Sequence, residues 1–203
     1  MRDWANIDPM DVAGQLGRMD YASYLALEAK AAEKHEYVNG EVYAMAGGTP
    51  EHARLQSRLS QLLGQALEGK PCAVFSSDLR VRITATGRST YPDLSIVCGR
   101  VETAADDGEA AVNPTVIVEV LSKTSEADDR GAKWAHYQML ATLKEYVLVS
   151  QDEPRIEVFR RDGTLWTYEA FAPGDQLRLS SLGIAVDVTR VYESPLGRAV
   201  SGE

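Results

Sequence analysis

The chain has 203 residues, 44% of them apolar and 25% charged, proportions of a globular domain that exclude collagen-like, coiled-coil and wholly disordered chains. Acidic side chains outnumber basic ones by 30 to 21, for a net charge of −9. This excludes a broad nucleic-acid-coating surface, since phosphate binding draws on Lys and Arg, but not a cleft that meets phosphate through a bound cation. The longest apolar runs fall far short of the ~20 residues that span a bilayer. Residues 1–17, with Asp3, Asp8 and Asp11, lack the basic-then-apolar plan of a secretion signal. A cytoplasmic location with no membrane partner is expected. Cys72 and Cys98 have no metal-site spacing and read as buried free thiols on strands in a reducing compartment.

Residues 1–18, with Pro9, Gly14 and Gly17 and no steady periodicity, read as a flexible arm; 19–195 read as one domain and 196–203 as a tail. Tyr24, Leu25, Leu27 and the following alanines predict a helix over 21–34, ending near His35. Residues 36–38 and 41–45 flank Asn39-Gly40, a pair that tolerates positive φ at both turn positions, and predict a hairpin. Pro50 opens an amphipathic helix with Leu55, Leu59, Leu62, Leu63, Ala66 and Leu67 on one face, stopped by Gly69. Residues 72–83 alternate and read as one strand, and 84–89 as a loop. Residues 94–98 form a short apolar strand entered through Tyr91-Pro92-Asp93, where proline favours an edge or the first strand position. The charged stretch 102–109 reads as a solvated connection. The β-branched run 115–121 predicts a central strand covered on both faces. Ser125 would cap a helix over 126–139, with Asp128 and Asp129 in its first turn. Residues 146–149, 156–160 and 165–170 read as a strand and a following hairpin.

Chemistry concentrates at Glu119, a carboxylate inside the apolar run Val116-Ile117-Val118-Glu119-Val120-Leu121. Burying it unpaired costs several kcal/mol, so either an arginine or lysine beside the sheet or a functional cation must offset it. Asp93 stands at the mouth of the preceding strand. If the two strands pair antiparallel, both carboxylates meet at one end of the sheet. They would repel unless one were protonated or a cation lay between them, and oxygen-only ligation suits Mg²⁺ or Mn²⁺.

Tyr91-Pro92-Asp93, Asn113-Pro114, Val118-Glu119-Val120-Leu121-Ser122, Asp129-Arg130-Gly131-Ala132-Lys133, Tyr137 and Glu145-Tyr146-Val147-Leu148-Val149 resemble, in order, the blocks of the Uma2 family. Its members are bacterial restriction-endonuclease-like nucleases of the PD-(D/E)-x-K superfamily. Upstream, His35-Glu36-Tyr37, Gly40-Glu41, Met45-Ala46-Gly47, His52 and Ser76-Ser77-Asp78-Leu79 continue the resemblance, which covers about residues 21–192. It implies an α/β (α+β) fold: a restriction-endonuclease-like core, a mixed β-sheet flanked by helices, with an added N-terminal helix-hairpin and C-terminal β-hairpin.

The resemblance also implies Asp93 and Glu119 as ligands of Mg²⁺ (or Mn²⁺). The superfamily lysine two positions after the glutamate is Leu121 here, and its role passes by resemblance to Lys133 on the next helix. Lys133 also stands four residues after Asp129, the spacing of an ordinary ion pair on an exposed helix. Tyr137 follows one turn later on the same face. Glu36 heads the hairpin block as the further catalytic carboxylate, with Glu51 as rival. His52 reads as a surface or capping histidine, and Asp78 as a turn or edge residue of minor candidacy. Arg80, Arg82, Arg88, Lys123 and Arg130 are candidate phosphate contacts. The implied function is a Mg²⁺-dependent endonuclease hydrolysing phosphodiester bonds of nucleic acid, with DNA as the expected substrate. A homodimer would use the 156–170 hairpin as an edge. The alternative is a catalytically inactive nuclease fold that binds nucleic acid or a protein partner.

Overall fold

The computed structural model describes residues 15–45 and 47–194; positions 1–14 of the expected arm and the 196–203 tail lie outside the described residues. In chain order the elements begin with β1 (Gln15–Arg18), α1 (Tyr21–Glu28), β2 (His35–Val38), β3 (Glu41–Ala44) and α2 (Pro50–Ala66). There follow β4 (Cys72–Ser76), β5 (Arg80–Ile83), β6 (Arg88–Thr90), β7 (Leu94–Cys98), β8 (Thr103–Ala104), β9 (Asp107–Ala111) and β10 (Val116–Leu121). The last third holds α3 (Glu126–Arg130), α4 (Ala132–Tyr137), β11 (Glu145–Ser150), β12 (Ile156–Asp162), β13 (Leu165–Phe171), β14 (Gln176–Leu179), β15 (Ile184–Asp187) and α5 (Val188–Tyr192).

The fold is mixed α+β, but it has two large sheets where one was expected. The larger by residues in strand, with six long strands, has the order β13-β12-β11-β10-β7-β4, with β10 and β11 parallel and the other pairs antiparallel. The smaller, with seven strands of two to five residues, runs β1-β3-β2-β6-β5-β9-β8, and β14–β15 is a separate ribbon. On β10, side chains alternate between two cores, as strand geometry requires. Val116, Val118 and Val120 join the leucines of α2 and the C-terminal β14, β15 and α5 segments. Ile117 and Leu121 join Val81 and Ile83 of the smaller sheet with Tyr137, Leu140, Leu143, Tyr146 and Leu148. The second core therefore lies between the two sheets. A third, small core under α1 holds Tyr24, Tyr37 and Val42.

The Asn39-Gly40 hairpin forms as expected, with φ of 50° and 96°. Thr49 accepts from the His52 N–H and Pro50 opens the long amphipathic α2. The expected 72–83 strand is instead two strands in different sheets, turning at Ser76, whose carbonyl accepts from the Leu79 N–H. The period-two pattern runs on through Arg80 and Arg82, so alternation alone joined what the turn separates; both arginines are buried. The supposed solvated connection at 102–109 contains β8 and the start of β9, because Asp107 is buried against Arg80. Within the expected 84–89 loop, Arg88 and Ser89 belong to β6. The first helix stops at Glu28, whose carboxylate turns back to the His35 N–H and Nδ1. Residues 15–18, assigned to the arm, are strand β1 paired with β3. β7 is an interior strand, so Pro92 takes the position ahead of a strand rather than an edge.

The cysteines are not free thiols. Cys72 and Cys98 face each other in the antiparallel β4–β7 register and form a disulfide. Their separation of 26 residues makes this a loop closure worth about 3.5 kcal/mol through the unfolded chain. Among the described residues no helix is long and apolar enough to cross a membrane.

On the outer face of the smaller sheet, beneath α1, lies a buried polar cluster. Arg80 grips Asp107 with two hydrogen bonds of 2.7 and 2.9 Å and donates to the Tyr91 hydroxyl at 2.7 Å. Tyr21 donates to the same Asp107 carboxylate, and Tyr91 donates to Glu28.

Candidate active site

The chain crosses from the smaller sheet to the larger at Tyr91-Pro92-Asp93, a junction where proline's missing N–H breaks no ladder bond. Antiparallel pairing sets Leu94 opposite Val118, so Asp93 arrives beside Glu119. The two residues then interlock. The Asp93 N–H donates to Glu119 Oε2 at 3.1 Å, and the Val120 N–H donates to Asp93 Oδ2 at 2.7 Å. Glu119 is 3% exposed, on the face of β10 that it shares with Ile117 and Leu121.

That face looks onto α4. The expected single helix over 126–139 is broken at Gly131, where φ is −114° and ψ −102°. A Cβ there would stand 2.8 Å from the Ala127 carbonyl oxygen, so the close approach requires glycine. Ser125 makes no side-chain cap. Past the break, Lys133 reaches into the inter-sheet core, with Nζ 3.0 Å from Glu119 Oε1, 3.2 Å from Asp129 Oδ1 and 3.5 Å from Glu36 Oε1. Tyr137, one turn on, donates to Glu119 Oε1 at 2.7 Å. From the smaller sheet, Glu36 accepts from Thr90 and, at 2.7 Å, from Arg88, whose same nitrogen also donates to Asp128 at 2.7 Å.

Four carboxylates, Glu119, Glu36, Asp128 and Asp129, thus share two permanent cations, Lys133 and Arg88, and Asp93 adjoins them through its N–H to Glu119. Burial lifts the Glu119 carboxyl to about 8 against the pull of Lys133, with Asp129 and Asp93 adding to the rise. Burial also pushes Glu36 upward, but Lys133 and Arg88 outweigh it and hold that carboxyl near 2. Burial disfavours the Lys133 charge, yet Asp129, Glu119 and Glu36 together raise its pKa, so the ammonium persists.

A model of the Uma2 family, described as "Putative restriction endonuclease", matches residues 21–189. The chain belongs to the Uma2 family. Two Synechocystis relatives agree in extent. The uncharacterized protein slr1290 is 35% identical over 170 residues, covering 83% of this chain and 88% of its own. The uncharacterized protein sll1609 is 32% identical over 142 residues, covering 70% and 80%. A crystal structure of "a putative nuclease belonging to DUF820" from Anabaena variabilis superposes with a TM-score of 0.69 at 17% identity. It covers 84% of this chain and 96% of that one, which establishes a shared nuclease-like fold.

Within this Uma2 chain the four sequence-selected residues, Asp93, Glu119, Lys133 and Glu36, converge on one site. Leu121, at the position of the superfamily lysine, is buried in the inter-sheet core, and Lys133 reaches Glu119 from the helix packed over the same face. The Lys133–Asp129 pair exists too, but it is buried rather than exposed. Glu51 pairs with Arg54 on its own helix, and Asp78, with an 82% exposed side chain, pairs with Lys34. Neither joins the site.

His52 does. It is not the expected surface or capping histidine: Thr49 is the cap and merely accepts its backbone N–H, while its ring lies 3.1 Å from Asp93 Oδ2. Asp128, Asp129, Thr90 and the structural role of Arg88 escaped the sequence reading. Asp128 and Asp129 stood out only as first-turn acids, with Asp129 as an ordinary i,i+4 partner of Lys133; Arg88 fell in a supposed loop, and Thr90 between that loop and the next strand. Of the five cations expected to meet phosphate, Arg80, Arg82 and Arg88 are buried in ion pairs with Asp107, Asp106, Glu36 and Asp128. Arg130 pairs with Glu126 and Glu157. Lys123 is exposed and pairs with no described carboxylate.

Among the described residues no three His, Cys, Asp or Glu side chains are gathered as a ready-made metal cage. A hard divalent cation needs less than that: Mg²⁺ is commonly held by one or two carboxylates, with water and phosphate oxygens completing its shell. Asp93 and Glu119 fit this requirement. Asp93 Oδ1 accepts no hydrogen bond from the described residues, while Oδ2 is engaged by Val120 and His52.

Proposed function

We propose that this Uma2 protein is a metal-dependent endonuclease that hydrolyses phosphodiester bonds of nucleic acid, with DNA as substrate. The observation that carries this reading is the interlocked Asp93–Glu119 pair at the joined ends of β7 and β10, with the Lys133 ammonium 3.0 Å from Glu119. The restriction-endonuclease description of the family favours DNA.

Asp93 and Glu119 would hold Mg²⁺ or Mn²⁺, which when bound supplies acidification of water and polarisation of the scissile phosphate. The remaining chemistry belongs to the chain. Lys133, kept charged by three carboxylates, offers a fixed positive charge to the extra negative charge that builds on phosphorus. Tyr137 fixes Glu119 Oε1, so that the ammonium and hydroxyl orient one carboxylate from the same helix. Glu36, tied to Thr90 and Arg88, holds the far side of Lys133 and prevents the amine from swinging wholly toward Glu119. Exposed Lys123, in the loop just after β10, supplies a phosphate contact on the substrate side.

The test is cleavage of a panel of DNA and RNA substrates with Mg²⁺ or Mn²⁺, run beside Glu119→Ala and Lys133→Ala. Metal-dependent cleavage of DNA that both variants lose is the expected result. Cleavage that survives a chelator, or that persists in Glu119→Ala, would overturn the reading. Binding of nucleic acid without any cleavage would favour an inactive nuclease fold.

A further inference from the structure

The Asp93 carboxylate is held from a direction that the strand pairing does not supply. Helix α2 begins with the Thr49 cap and Pro50, which fixes His52 in the first turn. There the imidazole faces the sheet, and Nε2 stands 3.1 Å from Asp93 Oδ2, the same oxygen that accepts from the Val120 N–H. One turn further, Gln56 donates to the Asp93 main-chain oxygen at 2.8 Å. Helix α2 therefore grips Asp93 at both backbone and side chain.

The ring's position is itself enforced. A Cβ on Gly48 would stand 2.8 Å from His52 Nδ1 and 3.1 Å from Cγ, so the preceding loop passes directly against the imidazole and only glycine leaves room for it. His52 belongs to none of the three apolar cores. Its ring is placed by a polar contact on one side and a bare backbone on the other.

We propose that His52 is a positioning residue for the metal-ligating Asp93, and that Gly48 exists to seat it. With Val120 and His52 both on Oδ2, the carboxylate cannot rotate freely, and Oδ1 is the oxygen left to face a divalent cation. Partners of this kind, behind a ligand rather than on the metal, typically change metal affinity by about 10–100-fold. The inference rests on the metal-site reading above, and the experiment separates the two.

Mn²⁺ is titrated into the wild-type protein, His52→Ala, His52→Gln, Gly48→Ala and Glu119→Ala, with free Mn²⁺ followed by electron paramagnetic resonance and thermal melting recorded in EDTA. The expected result is a loss of Mn²⁺ affinity of about tenfold in His52→Ala. Gly48→Ala should lose affinity similarly although its imidazole is retained, His52→Gln should recover part of the loss through its amide N–H, and melting should be unchanged in the His52 and Gly48 variants. Equal affinity in wild type, His52→Ala and Gly48→Ala, with binding lost in Glu119→Ala, would overturn the role of His52 and leave the metal site standing. No Mn²⁺ binding by the wild type would overturn the metal site itself and this inference with it.

Discussion

The smaller sheet has a buried ionic cluster on each face, and the two are built on opposite principles. Beneath α1, Arg80 meets Asp107 one to one, in a two-pronged contact completed by the hydroxyls of Tyr21 and Tyr91. Between the sheets, four carboxylates share Lys133 and Arg88, and Asp93 adjoins them with His52 as its own partner. The first centres on an arginine and an aspartate in direct two-pronged contact, which is what a buried pair needs to be tolerated. The second holds more carboxylates than cations, with burial lifting the Glu119 carboxyl to about 8, and beside it Asp93 keeps an oxygen without a donor among the described residues. The cation proposed above would use that excess of carboxylates and the Asp93 oxygen that has no donor.

The comparison can be broken most forcefully at the site. Asp93→Ala should reduce cleavage by at least about 100-fold, the scale of losing preorganised electrostatic stabilisation, measured under single-turnover conditions. Glu119→Gln should do the same while leaving urea stability in EDTA unchanged or higher, because burial already lifts this carboxyl to about 8 and the amide keeps its shape.

On the other face the sign reverses. Asp107→Ala leaves Arg80 buried without its partner and should cost about 3–5 kcal/mol in urea unfolding with no direct effect on metal binding. The Asp107 carboxyl also gives a pH signature. Burial pushes it up, but Arg80 and Tyr21 outweigh that and hold it below its ordinary 3.8. A depressed folded pKa means that this contribution is present above the unfolded value and lost as pH falls through the folded one. The acid limb of the stability curve, below about pH 4, should therefore flatten in Asp107→Asn.

Divalent ions sharpen the contrast at smaller amplitude. At a hundredfold excess over its dissociation constant, Mg²⁺ should stabilise the wild type by about 2.7 kcal/mol and Asp107→Asn by the same amount, but Glu119→Gln by none. The smallest expected effect is Tyr21→Phe, which removes one hydrogen bond to Asp107 and should cost about 1 kcal/mol without altering the Mg²⁺ response. Equal Mg²⁺ stabilisation of wild type and Glu119→Gln would dissolve the distinction between the clusters.

Much of this was legible in the residues. Glu119 in a valine run, Asp93 behind a proline and the Asn39-Gly40 turn each carry a local signature that survives folding. Lys133 was reached only through the family resemblance, because its distance from Glu119 is a property of packing across the inter-sheet core. The two-sheet architecture was hidden because Arg80 and Arg82 keep the alternation of β4 going past the turn at Ser76, and because Asp107 looks solvated until Arg80 is placed beside it. His52 was undervalued for a related reason. A histidine in a helix's first turn resembles a cap, and only the tertiary fold shows that backbone and ring have separate employments. The disulfide likewise depends on register, which no spacing of two cysteines reveals.

The passage of the chain between sheets at Ser76–Leu79 and again at Tyr91-Pro92-Asp93 makes the site a joint between two plates rather than a pit in one. Glu36, Arg88 and Thr90 ride on the smaller plate, Asp93 and Glu119 on the larger, and Lys133 bridges them from a helix between the two. Its 3.5 Å reach to Glu36 is the longest of its three contacts, so a slight slide of one plate over the other would open that link first and shift the amine toward Glu119. Anything that grips both plates at once would then set the position of the ammonium mechanically, without touching it.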